Sequence, residues 1–343
     1  MNKLDNITLL IPTHERHNYL NRILEYYKQD EIKIIIADSS PAKYDETKLN
    51  PSIKYYHYPA IGLPQKLSMA FKLIETEYVV MCSDDDFIIP AGINSCIEFL
   101  ECNKAFSAAQ GNCIAYKKEK KYADYIEMNV MYKDQLAYEI SNGNPYDRLA
   151  LFFNSYRTIF SAVHYTKNLQ LAFENVNNKF SNLFLNEYLT AIIPIVKGKY
   201  KELPILYQVR EYAEDSGDKS TDNLDIMYAD TKYENELKNY VEYVSDIIFR
   251  FTFNELEERK SVINDVFRPF GKRLAQQKIL AKYIPFSKQI GNTISLIPVI
   301  GKKIVMKYRL YYQRKNLNAV IRTKEDKLHL EKIKKLIFKY GES

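Results

Sequence analysis

Over its first 115 residues the chain alternates between two hydrophobic rhythms. Short apolar, β-branched runs bounded by polar turns (Ile7–Ile11, Ile32–Ala37, Ile53–Tyr58 and Tyr78–Cys82) read as buried strands. Between them, Tyr19–Lys28, Gln65–Ile74 and Ile93–Leu100 carry apolar residues at helical spacing. Strands alternating with helices over short connections predict parallel pairing in an α/β sheet covered on both faces. Ligands of such sheets bind beyond the carboxyl ends of the strands. Three polar, charge-bearing loops fall there: Pro12-Thr13-His14-Glu15-Arg16, Asp38-Ser39-Ser40 and Ser83-Asp84-Asp85-Asp86.

Beyond this region, Cys113–Met131 is rich in Tyr and Lys and reads as a hairpin or a long excursion, and Ser141–Pro145 marks a break. A strand is expected over Thr158–Tyr165, a helix interrupted near Pro194 over Asn182–Val196, and a last strand over Tyr200–Val209. Asp215-Ser216-Gly217-Asp218 begins a polar linker, after which Leu224–Val266 is helical and acidic and the chain from Phe267 is helical and basic. Three segments result: a catalytic α/β domain over 1–215, an acidic helical segment over 216–266 and a basic amphipathic tail over 267–343.

Composition narrows the class. The 343 residues are 46% hydrophobic and 27% charged, enough to build a core and far from disordered or disulfide-scaffold chains. The longest charge-free run, Gln289–Gly301, is too short to span a bilayer, which takes roughly 20 apolar residues. The first residues carry no apolar signal core, so a cytoplasmic protein is expected. Cys82, Cys96, Cys102 and Cys113 form no CxxC pair and fit reduced, mostly buried thiols. The net charge of +6 conceals an asymmetry: Val266–Ser343 holds 19 Lys and Arg against 4 Asp and Glu. A polyanionic partner is implied for that tail alone.

Neither GxGxxG nor GxxxxGK[ST] is present, so a nucleotide bound here needs a metal or Arg and Lys for its phosphates. Asp84-Asp85-Asp86 is the sharpest feature. Adjacent carboxylates at the end of an apolar strand repel one another unless a cation joins them, and an all-oxygen donor set suits Mg²⁺ or Mn²⁺. A solvated loop, or a cap for the helix near Ala91, is the plainer reading of the same acids.

Here the chain resembles the family 2-type glycosyltransferases of GT-A fold. Ile11-Pro12-Thr13-His14-Glu15-Arg16 is similar to the family's "IPTYNR" opening, Ala37-Asp38-Ser39-Ser40 to its second-strand "DxS" element, and Glu77–Asp86 to the segment ending in the DxD metal motif. The resemblance covers residues 5–215. It implies a Rossmann-like, mostly parallel sheet with helices on both faces, to which this chain adds a helical C-terminal extension. It places Thr13 and Glu15 beside the nucleoside, Asp38 on the base, Asp84 on the ribose and Asp86 on the metal. Pro12, Arg16, Ser39, Lys66 and Asp85 join the same nucleotide-sugar site. His14 and Glu15 stand where the family has Tyr and Asn.

The acceptor hydroxyl of a glycosyl transfer needs a base, because its pKa lies far above neutrality. The family carries that acid in an "ED" element about 100 residues beyond DxD. Leu185-Asn186-Glu187-Tyr188 sits there, which makes Glu187 the expected base, with a helix-capping role as its alternative. Arg210, in the Arg-bearing element Tyr207–Tyr212, is expected to clamp the departing diphosphate; Arg157 and Lys66 are weaker candidates for that task. Gln110 and Gly111 are expected to line the sugar pocket.

In the tail, Ile304, Tyr308, Tyr311 and Tyr312 form an apolar stripe flanked by basic residues, and Leu330, Ile333 and Ile337 form another. Such helices lie in a membrane interface, so an anionic membrane surface is the expected partner and nucleic acid is not. The combined expectation is a metal-dependent inverting glycosyltransferase. It would move a sugar from a nucleoside diphosphate, UDP foremost, to a glycan or lipid-linked acceptor at the inner face of the membrane during surface polysaccharide synthesis. A homo-oligomer is compatible with it. The rival readings are a sugar-phosphate nucleotidyltransferase, against which the Gly-free loop after the first strand counts, and a non-catalytic membrane-docked subunit with a vestigial nucleotide site.

Overall fold

The computed structural model describes residues 3–118, 126–132, 137–176, 179–212, 221–252, 256–282 and 300–340. The first four strands, β1 (Ile7–Thr13), β2 (Lys33–Asp38), β3 (Ile53–His57) and β4 (Tyr78–Met81), lie in the order β3-β2-β1-β4, all parallel. Helices α1 (His17–Tyr27) and α2 (Leu63–Phe71) occupy the connections. There follow β5 (Phe87–Ile88), α3 (Pro90–Cys102), β6 (Phe106–Lys118), β7 (Ile126–Val130), β8 (Glu139–Ile140), α4 (Pro145–Asn154), β9 (Val163–Tyr165), α5 (Thr166–Ala172), α6 (Leu183–Lys197) and β10 (Lys199–Glu211). They extend the sheet to β3-β2-β1-β4-β9-β6-β10-β5, with β7 on β6 and β8 on β10.

Strand side chains alternate between two cores. Leu10, Ile35, Val79 and Met81 face the layer built from α2, α4, α5 and α6. Leu9, Ile11, Ile34, Ile36 and Val80 face α1 and α3. Burial on both faces is why these strands read as nearly unbroken apolar runs. The fold is thus mixed α/β with helices on both faces and a C-terminal helical part.

In the second half parallel pairing persists only between β6 and β10. β9 runs antiparallel between β4 and β6, and β5 antiparallel to β10. The strand expected from Thr158 shrinks to Val163–Tyr165, because Ile159–Ala162 closes a turn (Ala162 N donates to Ile159 O at 3.0 Å) whose apolar residues are as buried as a strand's. α6 runs unbroken through Pro194. The lost amide bond is tolerated, and the Pro194 carbonyl accepts from Gly198 N and Ser107 Oγ.

The expected boundary at 266/267 falls inside one helix. After α7 (Leu224–Met227) and α8 (Glu234–Thr252), α9 runs over Leu256–Lys282, and its Phe267 and Phe270 pack edge-on against Phe153 in the first core. Two further helices, α10 (Ile300–Leu317) and α11 (Lys324–Tyr340), complete the extension. The Leu330, Ile333 and Ile337 stripe of α11 does not face a membrane; it is buried against α1 in the second core. Tyr26 and His329 share a 2.9 Å hydrogen bond at that junction, and Lys339 pairs with Glu25 at 2.6 Å. An amphipathic stripe states that something covers it, not what. The Asp215–Asp218 linker and most of the Gln289–Gly301 run lie outside the described residues.

Candidate active site

The turn after β4 (Asp86 N to Ser83 O, 3.0 Å) presents the three adjacent acids, and the β5–β10 pairing brings the end of β10 beside them. All three are at least 94% buried. Arg16 bridges two of them: Nη1 lies 2.9 Å from Asp84 Oδ1 and Nη2 2.9 Å from Asp85 Oδ2. Thr13 Oγ1 donates to Asp84 Oδ2 at 2.6 Å. Asp86 accepts from Gln208 Nε2 at 2.9 Å and from the Glu211 amide at 3.0 Å. Burial pushes the carboxyl of Asp86 above the ordinary carboxylate range, and the neighbouring Asp85 charge pushes it further. Burial raises Asp84 too, opposed by Arg16. None of these acids caps α3, whose N-terminus has no side-chain cap.

From β1 and β2, Pro12, Thr13, His14 and Ser39 enter the cleft wall. The ring Nδ1 of His14 is 3.0 Å from the Ser39 carbonyl oxygen. Lys66 on α2 is buried and donates to Thr13 O at 2.7 Å and to Ser39 Oγ at 2.9 Å. Burial pushes its ammonium pKa down to about 8 against the pull of Asp38 and Asp84. From the other side come Glu187 on α6 and Arg210 near the end of β10. Burial disfavours the Arg210 cation, but Asp86 and Glu187 outweigh it and raise its pKa. Glu187 is no helix cap. Asn182 holds that place, its side chain accepting from the Phe184 and Leu185 amides, while Glu187 Oε1 accepts from the Tyr156 hydroxyl at 2.5 Å. These residues enclose one cleft of about 490 Å³, within the roughly 300–1,000 Å³ usual for ligand sites.

Five expected residues stand elsewhere. Asp38 is fully buried with both oxygens engaged by Ser40 N and Oγ, Tyr55 OH and His17 Nε2. Burial works against its charge, yet those bonds outweigh it and hold the carboxyl below its usual range. The contact with the base implied for Asp38 is therefore closed to it here; it ties β2 to α1 and β3. Glu15 points to solvent from a backbone at φ 54°, leaving His14 on the cleft wall. Gly111 is a packing residue: a Cβ there would lie 2.7 Å from Ile205 and Tyr207 atoms. Gln110 beside it donates to Thr158 O at 3.2 Å, one step behind the wall. Arg157 forms a buried pair with Glu202 at 2.6 Å rather than a phosphate clamp.

Other residues of the site were not foreseen. Buried Arg22 donates to the Asp85 carbonyl at 2.7 Å and pairs with Glu211 at 2.6 Å, so it fixes the acidic turn to β10. Arg16, Tyr19 and Arg22 stand at i, i+3 and i+6, with both guanidinium groups over the Tyr19 ring. Arginine on the buried stripe of α1 was the available signal. Gln208 and Tyr156 carried none.

The acids offer only carboxylate oxygens, and burial raises the carboxyls of Asp84 and Asp86 above their ordinary range. That chemistry fits a hard divalent cation. Among the described residues no three His, Cys, Asp or Glu side chains are grouped to hold an ion unaided. Any such ion would take its remaining ligands from a diphosphate and water. The four cysteines are free, with Cys82 and Cys96 buried and Cys102 exposed.

No family model matches the chain, and no curated protein does. Among solved structures it is similar to S. aureus TarS 1–349, at 14% identity and a TM-score of 0.49 over 98% of this chain and 92% of that one. The same protein in complex with UDP-GlcNAc gives the same values. Its complex with UDP gives 13% identity and a TM-score of 0.49, with the same coverage.

Proposed function

We propose that the protein is a metal-dependent, inverting glycosyltransferase using a nucleoside diphosphate sugar. One observation carries this reading: a single cleft gathers Pro12, Thr13, His14 and Arg16 of the strand-end loop, the acidic turn, Glu187 and Arg210. The nucleoside sits against Thr13, His14 and Ser39, and Lys66 braces that wall through Thr13 O and Ser39 Oγ. Asp86, with Asp84 and Asp85 beside it, would hold Mn²⁺ or Mg²⁺. Bound there, the ion would neutralise charge on the leaving diphosphate. Arg210 adds a fixed cation at the same edge, in a site where such charge counts for more than in water. Glu187 takes the proton of the acceptor hydroxyl as that oxygen bonds to the anomeric carbon. The bond from that carbon to the diphosphate oxygen breaks in the same displacement. No glycine-rich phosphate loop follows β1, which disfavours a nucleotidyltransferase.

Thermal unfolding tests the donor site. UDP, GDP, CDP and their sugars should each be added with and without Mn²⁺. Occupancy stabilises by about 2.7 kcal/mol at a hundredfold excess over Kd, so one nucleotide series should raise Tm, and only with metal. A flat response across the panel would remove the proposal.

An anionic membrane surface remains our reading for α10 alone. It exposes Leu310, Tyr311 and Tyr312 beside Lys307, Arg314 and Lys315, and among the described residues no helix is long and apolar enough to cross a membrane. Deleting 267–343 cannot test this, because it strips Phe267, Phe270 and Ile333 from the two cores. The combined change Lys307→Glu, Arg314→Glu and Lys315→Glu can. At about 1 kcal/mol per basic residue near an anionic surface, sedimentation with phosphatidylglycerol vesicles should weaken by at least about a hundredfold. Unchanged sedimentation would mean that α10 is not the contact.

A further inference from the structure

A second hollow of about 350 Å³ lies where β7, α4 and α9 meet; of the residues expected to bind the donor it holds only Arg157, which the fold has paired with Glu202. Its walls are aromatic: Tyr132, Tyr156 and Phe270, with the Tyr156 and Phe270 rings 5.1 Å apart. Tyr132 is 37% exposed and sits at φ 52°, a conformation that costs a tyrosine energy. The remaining lining mixes apolar Phe153 and Leu274 with Asn154, Ser155, Gln277 and two arginines and, among the described residues, holds no acid. Arg157 is neutralised by Glu202. Arg273 is not: it donates to the Phe153 carbonyl at 2.9 Å, and among the described residues no carboxylate pairs with it.

This hollow is joined to the cleft by one side chain. The Tyr156 ring forms part of its wall, while the Tyr156 hydroxyl donates to Glu187 Oε1 at 2.5 Å. A molecule lying on that ring therefore begins one phenol away from the carboxylate that removes a hydroxyl proton. Flat aromatic faces suit the apolar face of a pyranose, and an unpaired guanidinium suits an anionic substituent. We infer that the hollow is the acceptor subsite, taking a saccharide that carries a phosphate or a carboxylate. The inference rests on the glycosyltransferase reading of the neighbouring cleft and assigns its second substrate. It also gives α9 a task that its position in sequence, far beyond the catalytic motifs, does not suggest.

Saturation-transfer NMR on the full chain tests it with glucose 6-phosphate, methyl β-D-glucuronide and methyl β-D-glucoside, and inorganic phosphate, which has no carbon-bound proton to observe, is scored as a competitor of the first. The first two should bind at least about tenfold more tightly than the neutral glucoside, the range of a charge-assisted contact, and more tightly than phosphate alone. Which of the two leads tells phosphate from carboxylate. Arg273→Met should bring both within about twofold of the glucoside, and Tyr132→Ala should weaken all three sugars, while stabilisation by metal and nucleotide stays unchanged in both variants. Inorganic phosphate binding as well as glucose 6-phosphate would overturn the saccharide assignment. So would a preference that survives Arg273→Met, or displacement of the sugars by UDP alone. If metal and nucleotide stabilise the chain while no sugar binds, the subsite is wrong and the donor site stands. If neither binds, the reading of the cleft fails with it.

Discussion

Glu187→Gln should lower sugar transfer by about a hundredfold to ten-thousandfold, the span usual for removing a positioned general base, and should leave donor binding intact. The exchange keeps the size of the side chain and its ability to accept the Tyr156 hydroxyl hydrogen bond, so the N-terminal turns of α6, held by the Asn182 cap, have no reason to shift. Only basicity is removed. The effect should therefore appear in kcat, while KM for the donor and the stabilisation by nucleotide and metal stay near wild type. Lys66 offers an internal control on pH. Its ammonium, pushed down to about 8, lies on the donor side of the cleft, so its deprotonation should weaken donor binding above about pH 8 equally in wild type and Glu187→Gln. Transfer surviving at wild-type rate, with nucleotide still bound, would mean that Glu187 is not the base.

Much of this arrangement was legible in the residues before any coordinates, for a physical reason. β1, β2 and β4 are buried on both faces, so their apolar runs are long, and the polar loops at their ends stand out against them. That logic placed Asp84–Asp86 and Pro12, Thr13 and Arg16 at the cleft, and the resemblance to the glycosyltransferases placed Glu187 and Arg210 there. What failed depends on partners distant in sequence. β9 and β5, of three and two residues, are too short to show a period of two. Asp38 looked like a ligand because an acid follows a strand, but its four donors come from residues 17, 40 and 55, which only the fold assembles. Glu15, expected beside the nucleoside, faces solvent because a positive φ turns its side chain out. The α11 stripe was read as membrane-facing because its cover, α1, lies some 300 positions away.

The same long-range logic makes Arg157→Met the variant with the largest expected cost to stability. Arg157 and Glu202 are 4% and 2% exposed at their side chains and pair at 2.6 Å between the loop after α4 and strand β10. The guanidinium also lies over the Tyr138 ring, 4.4 Å from its centre. Removing one partner of a buried pair leaves the other charged and uncompensated, which costs about 3–5 kcal/mol. Burial already raises the Glu202 carboxyl above its usual value despite Arg157, so without the cation it must rise further. A folded-state acid pKa above the unfolded one means that the native state binds more protons between the two values, so stability falls as pH rises through that window. The penalty of Arg157→Met should therefore be greatest at neutral and higher pH and shrink as pH falls and Glu202 takes up a proton. Urea unfolding at several pH values measures this. The double variant Arg157→Met, Glu202→Met should recover much of the loss, since an apolar pair of similar volume needs no counter-charge. A small, pH-independent cost for the single variant would show that water reaches Glu202 and that the pair does not hold this loop to the sheet.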